Sequence, residues 1–347
     1  MEKNFTFKVF NKFEEKLEQD WKSLENEVKQ FFFQKFIFIK TVIETFNDTK
    51  INIVVVYEKN KPIAIFPLEI KRYNQIKILQ WIGTNQSDYC CPIVNSKKFV
   101  NEQDFKQVWN KILNTIKDYD IIFLNKQPEY IEQTLNPFVI FIQNTHYSKI
   151  YQTKLVSCEN DYLSLLENKK FSSELRRTKK KFLENYKVIF KTLFLAKQKD
   201  LIGKILLKKN SYLKKKKIPN SLNESLINFY EKLSNLYPEK LIAGIIQADG
   251  KTIAATIGII ENKRFYYLVP VIFTEEFNSF SPGKILINYL INWTVKNDLE
   301  VFDFGIGEEN YKKYWSNYST RIFRHLNYKG AKGFIVFLIM KIYLKFK

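Results

Sequence analysis

Apolar residues Phe10, Phe13, Leu17, Trp21, Leu24 and Val28 recur at steps of three and four, which predicts an amphipathic helix over residues 10–30. A second apolar stretch, residues 31–46, reads as another helix. The periodicity then changes. Residues 51–57, 63–70 and 76–82 are β-rich runs separated by the short polar turns EKNK and RYNQ, the pattern of a three-stranded meander. The same order returns about 190 residues later. Residues 241–248 are followed by Asp249-Gly250, a strong hairpin signal, then by 252–260, the turn Glu261-Asn262-Lys263, and 265–273. Lys61-Pro62-Ile63-Ala64 and Lys251-Thr252-Ile253-Ala254 open the second strand of each meander, so an internal duplication is the economical reading.

Between the repeats, residues 108–116 read as a helix and 119–124 as a strand, and the halves divide near 150–160. Residues 161–217 read as helical up to the breaker Ile218-Pro219-Asn220, and 226–236 as a further helix stopped by Tyr237-Pro238. Ser281 is a suitable N-cap with Pro282 at the first helical position, and Ile285, Leu286, Tyr289, Leu290 and Trp293 form one apolar face. A strand over 300–304 follows, with Gly305 and Gly307 opening a loop. The apolar tail, residues 334–347, carries Lys341, Lys345 and Lys347. As a helix it would be ~21 Å long, short of the ~30 Å hydrocarbon core, so it either packs on its own domain or lies on a membrane surface.

These readings place the chain in the α/β (α+β) class, as an N-terminal half (1–155), a C-terminal half (156–330) with a basic helical insert at 161–217, and a tail helix (331–347). A length of 347 residues suits two domains, and 45% hydrophobic against 27% charged residues is globular composition. Net charge is +20, and 18 Lys and Arg against three acidic residues fall within 169–217. Bias towards Lys accounts for 50 Lys against six Arg but not for this clustering. The segment attracts phosphate, anionic lipid or nucleic acid. Arg176, Arg177, Lys179, Lys180 and Lys181 lie on one expected helix of it, where a solvated face is the plainer reading. No RNP, KH or zinc-finger pattern accompanies the charge, which argues against sequence-specific DNA binding. Cys90, Cys91 and Cys158 form neither a disulfide framework nor a zinc site, so no metal is expected. The first twenty residues lack a secretory pattern, and a cytoplasmic location is expected, at most peripheral to the inner face of the membrane.

A helix whose first turn is Ser281-Pro282-Gly283-Lys284 offers free N–H groups and a positive dipole end to an anion, with Gly283 permitting close approach. Around it, Pro67-Leu68, Ile82-Gly83, Asp88-Tyr89, Ile253-Ala254-Ala255, Tyr266-Tyr267, Pro270 and Ser281-Pro282-Gly283 occur in order. The run from Phe302-Asp303-Phe304 through Gly307, Glu308, Tyr311-Lys312 and Trp315 follows them. With these residues the chain, from about Phe13 to Asn327, resembles the CelD/BcsL group. These are GNAT-fold acetyltransferases associated with bacterial cellulose and exopolysaccharide synthesis, related to the FemAB double-GNAT aminoacyltransferases.

The resemblance implies two tandem GNAT-like halves, each a mixed, mostly antiparallel sheet flanked by helices. It also implies an acyl-CoA-dependent N- or O-acyltransferase acting on a sugar or polysaccharide precursor. The CoA pyrophosphate would lie on the 281–284 turn and the pantetheine arm beside Val269 and Pro270. In place of the usual Gln/Arg-x-x-Gly-x-Gly/Ala loop only Gly283 stands, which leaves aminoacyl-tRNA open as the donor. A non-catalytic, membrane-docking partner of polysaccharide synthesis is the alternative from another class.

With no Ser-His-Asp or Cys-His machinery readable, direct transfer needs a base and an acid. Asp303, flanked by two phenylalanines at a strand end, or Glu308 is the candidate base; a structural hydrogen bond or ion pair is the plainer reading of either. Tyr311 is the candidate acid, or a packed ring near Trp315. Lys312 holds an anionic acceptor or faces solvent. Tyr267 is a further acceptor contact. From the first half Asp88 and Tyr89 would reach the acceptor, against the plainer reading of a capped turn.

Overall fold

The computed structural model describes residues 4–46, 50–99, 101–157, 161–218 and 223–345. Cys158 and the Pro219-Asn220 breaker lie outside them. The chain opens with β1 (Phe5–Phe10), α1 (Glu15–Glu27) and α2 (Phe36–Phe46). The hairpin strands β2 (Lys50–Glu58) and β3 (Lys61–Tyr73) follow, then β4 (Ile76–Trp81) and the two-residue β5 (Ile93–Val94). Next come α3 (Glu102–Thr115), β6 (Ile121–Pro128), the small hairpin β7 (Tyr130–Ile131) and β8 (Thr134–Leu135), α4 (Pro137–Phe141) and β9 (Thr145–Lys154). The second half runs α5 (Lys169–Asn185), β10 (Val188–Phe194), α6 (Lys199–Lys215), α7 (Glu224–Leu236), β11 (Leu241–Ala248) and β12 (Lys251–Glu261). It continues through β13 (Arg264–Tyr267), β14 (Val271–Ile272), α8 (Pro282–Lys296), β15 (Val301–Ile306) and α9 (Asn310–Trp315), before β16 (Tyr318–Tyr328) and α10 (Gly330–Tyr343).

Two compact units result, one of Met1–Lys149 with Thr320–Lys347 and one of Ile150–Ser319. In the first, strand order is β1-β2-β3-β4-β6-β16, with β5 added on β3. Only the β4–β6 pair is parallel. In the second it is β10-β11-β12-β13-β15-β9, with β14 added on β12, and only β13–β15 is parallel. Both are mixed, mostly antiparallel sheets with flanking helices. The repetition reaches single residues. Each hairpin turns through two left-handed residues, Lys59 and Asn60 (φ 49° and 63°) or Asp249 and Gly250 (φ 46° and 80°). Such pairs match the right-handed twist of the strands they join. Each hairpin also slips register at the same place, between Val56 and Tyr57 or between Ile246 and Gln247.

Three expectations are corrected. Residues 10–30 are not one helix: Phe10 closes β1, and α1 begins at Glu15. Residues 161–217 are not helical throughout, because β10 interrupts them and pairs antiparallel with β11. Phe5–Phe10 and Val188–Phe194 are edge strands of alternating burial, short enough for neighbouring helical periodicity to mask them. The run 265–273 also breaks, leaving 268–270 outside any strand.

Candidate active site

The break in β13 shapes the site. Ile257 on β12 accepts two backbone hydrogen bonds through its carbonyl, from the N–H groups of Leu268 (3.1 Å) and Val269 (3.2 Å). Two residues facing one partner form a bulge, which bends the strand. Tyr266 pairs with Asp303 on β15, and β13 ends one residue later. At this bend a cavity of about 320 Å³ is walled by Ala255, Tyr267, Pro270, Val271, Gly283, Lys284 and Tyr311, with Lys209 and Tyr212 of α6 closing it. Lys209 Nζ donates to the Pro270 carbonyl at 3.1 Å, and burial lowers its pKa while the field of Glu309 opposes that shift. Burial pushes the Tyr267 hydroxyl well up, with Tyr311 adding to the shift.

Helix α8 points its first turn at this cavity. Ser281 occupies the cap position but not in the expected way: its backbone is left-handed (φ 52°, ψ 55°) and its side chain caps nothing. An N-cap hydroxyl reaches the helix N–H groups from an extended backbone. Here the Ser281 carbonyl accepts from Lys284 N (2.9 Å) and Ile285 N (3.2 Å) instead. Gly283 is not demanded by its backbone; a Cβ there would meet only Ile272 Cδ1, at 3.5 Å. Its small size keeps the cavity open. Lys284 is exposed and its ammonium lies 5.6 Å from the centre of the Phe171 ring.

The expected catalytic run divides in two. Asp303 is neither at a strand end nor sheltered by Phe302 and Phe304. Side chains alternate along a strand, so both phenylalanines enter the core and Asp303 faces the other way. Its Oδ2 accepts from Arg264 Nη1 (2.9 Å) and Gln152 Nε2 (2.8 Å), and its Oδ1 from Gly305 N (2.8 Å). Asp303 is fully buried and Arg264 nearly so, which makes this an interior ion pair. Lys312 does not face solvent: it is buried, and its Nζ donates to the Ile306 carbonyl (2.7 Å) and pairs with Glu309 (2.9 Å). Glu308 is exposed in the loop after β15, near enough to Tyr151 to help burial raise that phenol's pKa. Tyr311 is half-buried, lines the cavity and packs edge-on against Phe304.

Residues 169–313 match the acetyltransferase (GNAT) domain family. Comparison of the sequence with curated proteins gives no match. Among solved structures, FemX superposes with a TM-score of 0.61 at 9% identity, over 92% of this chain and 97% of that one. L-PGS from Bacillus licheniformis gives 0.55 at 11% identity, over 95% and 97%. The DUF2156 domain of a putative lysylphosphatidylglycerol synthetase from Agrobacterium fabrum gives 0.54 at 9%, over 94% and 95%. At these identities the likeness is one of fold.

Within the matched region, five expected residues meet at one cavity: Tyr267, Pro270, Gly283, Lys284 and Tyr311. Val269, Ser281 and Pro282 adjoin its wall without lining it, and Asp303, Glu308 and Lys312 are not part of the wall. Lys209, Tyr212 and Ala255 were not foreseen. The first two lie some sixty residues before Pro270 and are brought to it by the packing of α6 on β12 and β14. Of the five cations expected together on α5, Lys179 is committed elsewhere: it bonds Asp161 Oδ2 (3.0 Å) and Asn288 Oδ1 (2.7 Å). Arg176, Arg177, Lys180 and Lys181 are exposed.

Asp88 and Tyr89 belong to the first unit. The Tyr89 ring is fully buried, 4.6 Å from Phe31 and 5.7 Å from Phe33 between ring centres, and its carbonyl accepts from Gln34. A packed core position accounts for Tyr89 better than contact with a substrate. Cys90 and Cys91 are buried, and burial pushes the Cys90 thiol up to about 11, which leaves it inert. Among the described residues no group of His, Cys, Asp and Glu could hold a metal ion.

Among the described residues of the first unit, larger side chains stand at two positions that open the cavity in the second. Counting from Lys61 and Lys251, Ile65 corresponds to Ala255, and the registers Leu68↔Trp81 and Gly258↔Tyr267 equate Trp81 with Tyr267. Ile65 and Trp81 are fully buried, and Trp81 stacks edge-on against Phe138. Bulkier side chains fill that position.

Proposed function

We propose that the GNAT domain transfers an acyl group from acyl-CoA directly to an amine or hydroxyl. The observation that carries this reading is the cavity itself. Its ~320 Å³ falls within the ~300–1,000 Å³ range of small-molecule sites. It is largely apolar, yet bounded by the first turn of a fifteen-residue helix and by Lys209 and Lys284. A pantetheine arm suits the apolar bend beside Pro270. Phosphates suit the α8 N-terminus and the adjoining groove of about 540 Å³, where Lys208, Lys215 and Lys216 lie.

Tyr311 lines the cavity and Glu308 stands exposed in the loop after β15, and the reading assigns the two proton transfers to them. Glu308 takes the proton from the acceptor, which then attacks the thioester carbonyl; the C–S bond breaks, and Tyr311 gives the leaving thiolate its proton. Asp303 orients β15 through Arg264 and Gln152 and does no proton transfer. Tyr267 shapes the wall against which the acyl group lies. The acceptor class, a sugar or a precursor of a cell-surface polysaccharide, rests on the resemblance to CelD/BcsL proteins.

The test is release of free thiol from acetyl-CoA and longer acyl-CoAs in the presence of amino sugars and sugar nucleotides. Acceptor-dependent release that falls about 100-fold in Glu308→Gln supports the reading. No release with any thioester, together with transfer from charged tRNA, would replace it with a FemAB-like aminoacyltransferase.

A further inference from the structure

The last helix of the first unit is apolar almost all round, a pattern normally found only in buried helices. Residues 333–340 of α10 contain no polar side chain between Lys332 and Lys341. Yet only Gly333 is buried. That glycine is required, because a Cβ would strike the Asp120 carbonyl, and it lets the helix close on the end of the unit. Phe334 and Phe337 pack on Tyr328 at 5.2 and 5.1 Å between ring centres, and Arg324 Nη2 donates to the Leu344 carbonyl. Among the described residues the opposite side has no such cover. Ile335 is 61% exposed, Ile339 62% and Ile342 61%, with Leu338 beside them. Successive residues three and four apart make one continuous stripe.

Charge selects the occupant. Residues 318–347 hold seven basic side chains (Arg321, Arg324, Lys329, Lys332, Lys341, Lys345 and Lys347) and no acidic one. Two copies meeting along this stripe would bring those charges together, which opposes self-association. An anionic bilayer satisfies both features: isoleucines enter the acyl boundary while flanking lysines reach the headgroups. Among the described residues no helix is long and apolar enough to cross a membrane, so the fitting geometry is a helix lying in the interface. We propose that α10 is an interfacial anchor for membranes rich in anionic phospholipid. This does not depend on the acyl-CoA reading.

The experiment is co-sedimentation of the full chain with vesicles of phosphatidylcholine alone or containing about one third phosphatidylglycerol, at low and high salt. Binding is expected to the anionic vesicles and to weaken with salt. The double variant Ile335→Asp/Ile339→Asp, at exposed positions, should keep the wild-type melting temperature and bind at least ~10-fold more weakly. Lys341→Glu/Lys345→Glu should weaken binding by a similar factor. The emission that Ile339→Trp adds to that of the five native tryptophans should shift to the blue on adding anionic vesicles. Failure of wild type to bind them would overturn the proposal. So would unchanged binding by the Asp variant, which would assign the interaction to lysines elsewhere. A concentration-dependent dimer, lost in the Asp variant and without vesicle binding, would make the stripe an interface between copies.

Discussion

Lys209 Nζ hydrogen-bonds the carbonyl of Pro270 at 3.1 Å, tying the basic helix α6 to the bend where β13 leaves its neighbour. The contact puts a cation from the lysine-rich segment into the wall of a largely apolar cavity, which Lys284 also lines. Removing that charge tests whether the cavity receives an anion. Lys209→Met is expected to weaken acyl-CoA binding by about 1.5–3 kcal/mol, roughly 10- to 100-fold in Kd. Burial lowers the Lys209 pKa, so its charge is complete below that folded value and is lost as pH rises through it. Wild-type affinity should therefore fall on the alkaline side before an ordinary lysine titrates, and the variant should show no such step. Calorimetry across alkaline pH checks both.

Asp303 is a buried, ion-paired carboxylate, whereas Glu308 is exposed and is the proposed base. Asp303→Asn removes one partner of a buried ion pair, so a loss of about 3–5 kcal/mol in denaturant unfolding is expected. Glu308 is exposed, and Glu308→Gln should change stability by less than about 0.5 kcal/mol. Its kcat for thiol release should nevertheless drop about 100-fold. Full activity in Glu308→Gln would remove it from the mechanism.

Much of this arrangement could be read from the chain. Both meanders and the start of α8 carry strong local signals: Asp-Gly, short polar turns, and Pro282 at the first helical position. The topology that repeats them is the fold the resemblance implied. The edge strands were less legible, since Phe5–Phe10 and Val188–Phe194 are short and adjoin helices whose period dominates the window. Asp303 was misplaced for a different reason. Its neighbours in sequence are phenylalanines, but alternation sends them to the opposite face, and the partners that matter, Arg264 and Gln152, lie on adjacent strands. Lys209 could not be foreseen, because only tertiary packing brings it to Pro270; Ala255 belongs to the Ile253-Ala254-Ala255 run but was not assigned to the site, which it joins opposite Val271.

Asp161 ties the start of the second unit to α8. Burial alone would raise its pKa, but bonds from Asn288, the Leu163 N–H, Lys179 and Asn292 prevail and hold it below the ordinary aspartate value. A carboxylate with a lowered folded pKa adds stability that is present above its unfolded value of about 3.9 and is lost as pH falls through the folded one. Asp161→Asn is expected to cost about 1–3 kcal/mol at neutral pH. Its stability should also decline less steeply than wild type below about pH 4, measured by urea unfolding at stepped pH.

The central claim is that the cavity between Ala255, Tyr267 and Gly283 receives the acyl-CoA thioester arm. It is tested most directly by isothermal calorimetry of acetyl-CoA against wild type, Gly283→Trp and Ala255→Ile, the last placing in the second unit the side chain that Ile65 supplies in the first. Micromolar binding by wild type, abolished by both substitutions while thermal unfolding stays cooperative, is the predicted result. Equal binding by all three folded proteins would contradict the account, as would no binding of any acyl-CoA by the wild-type chain.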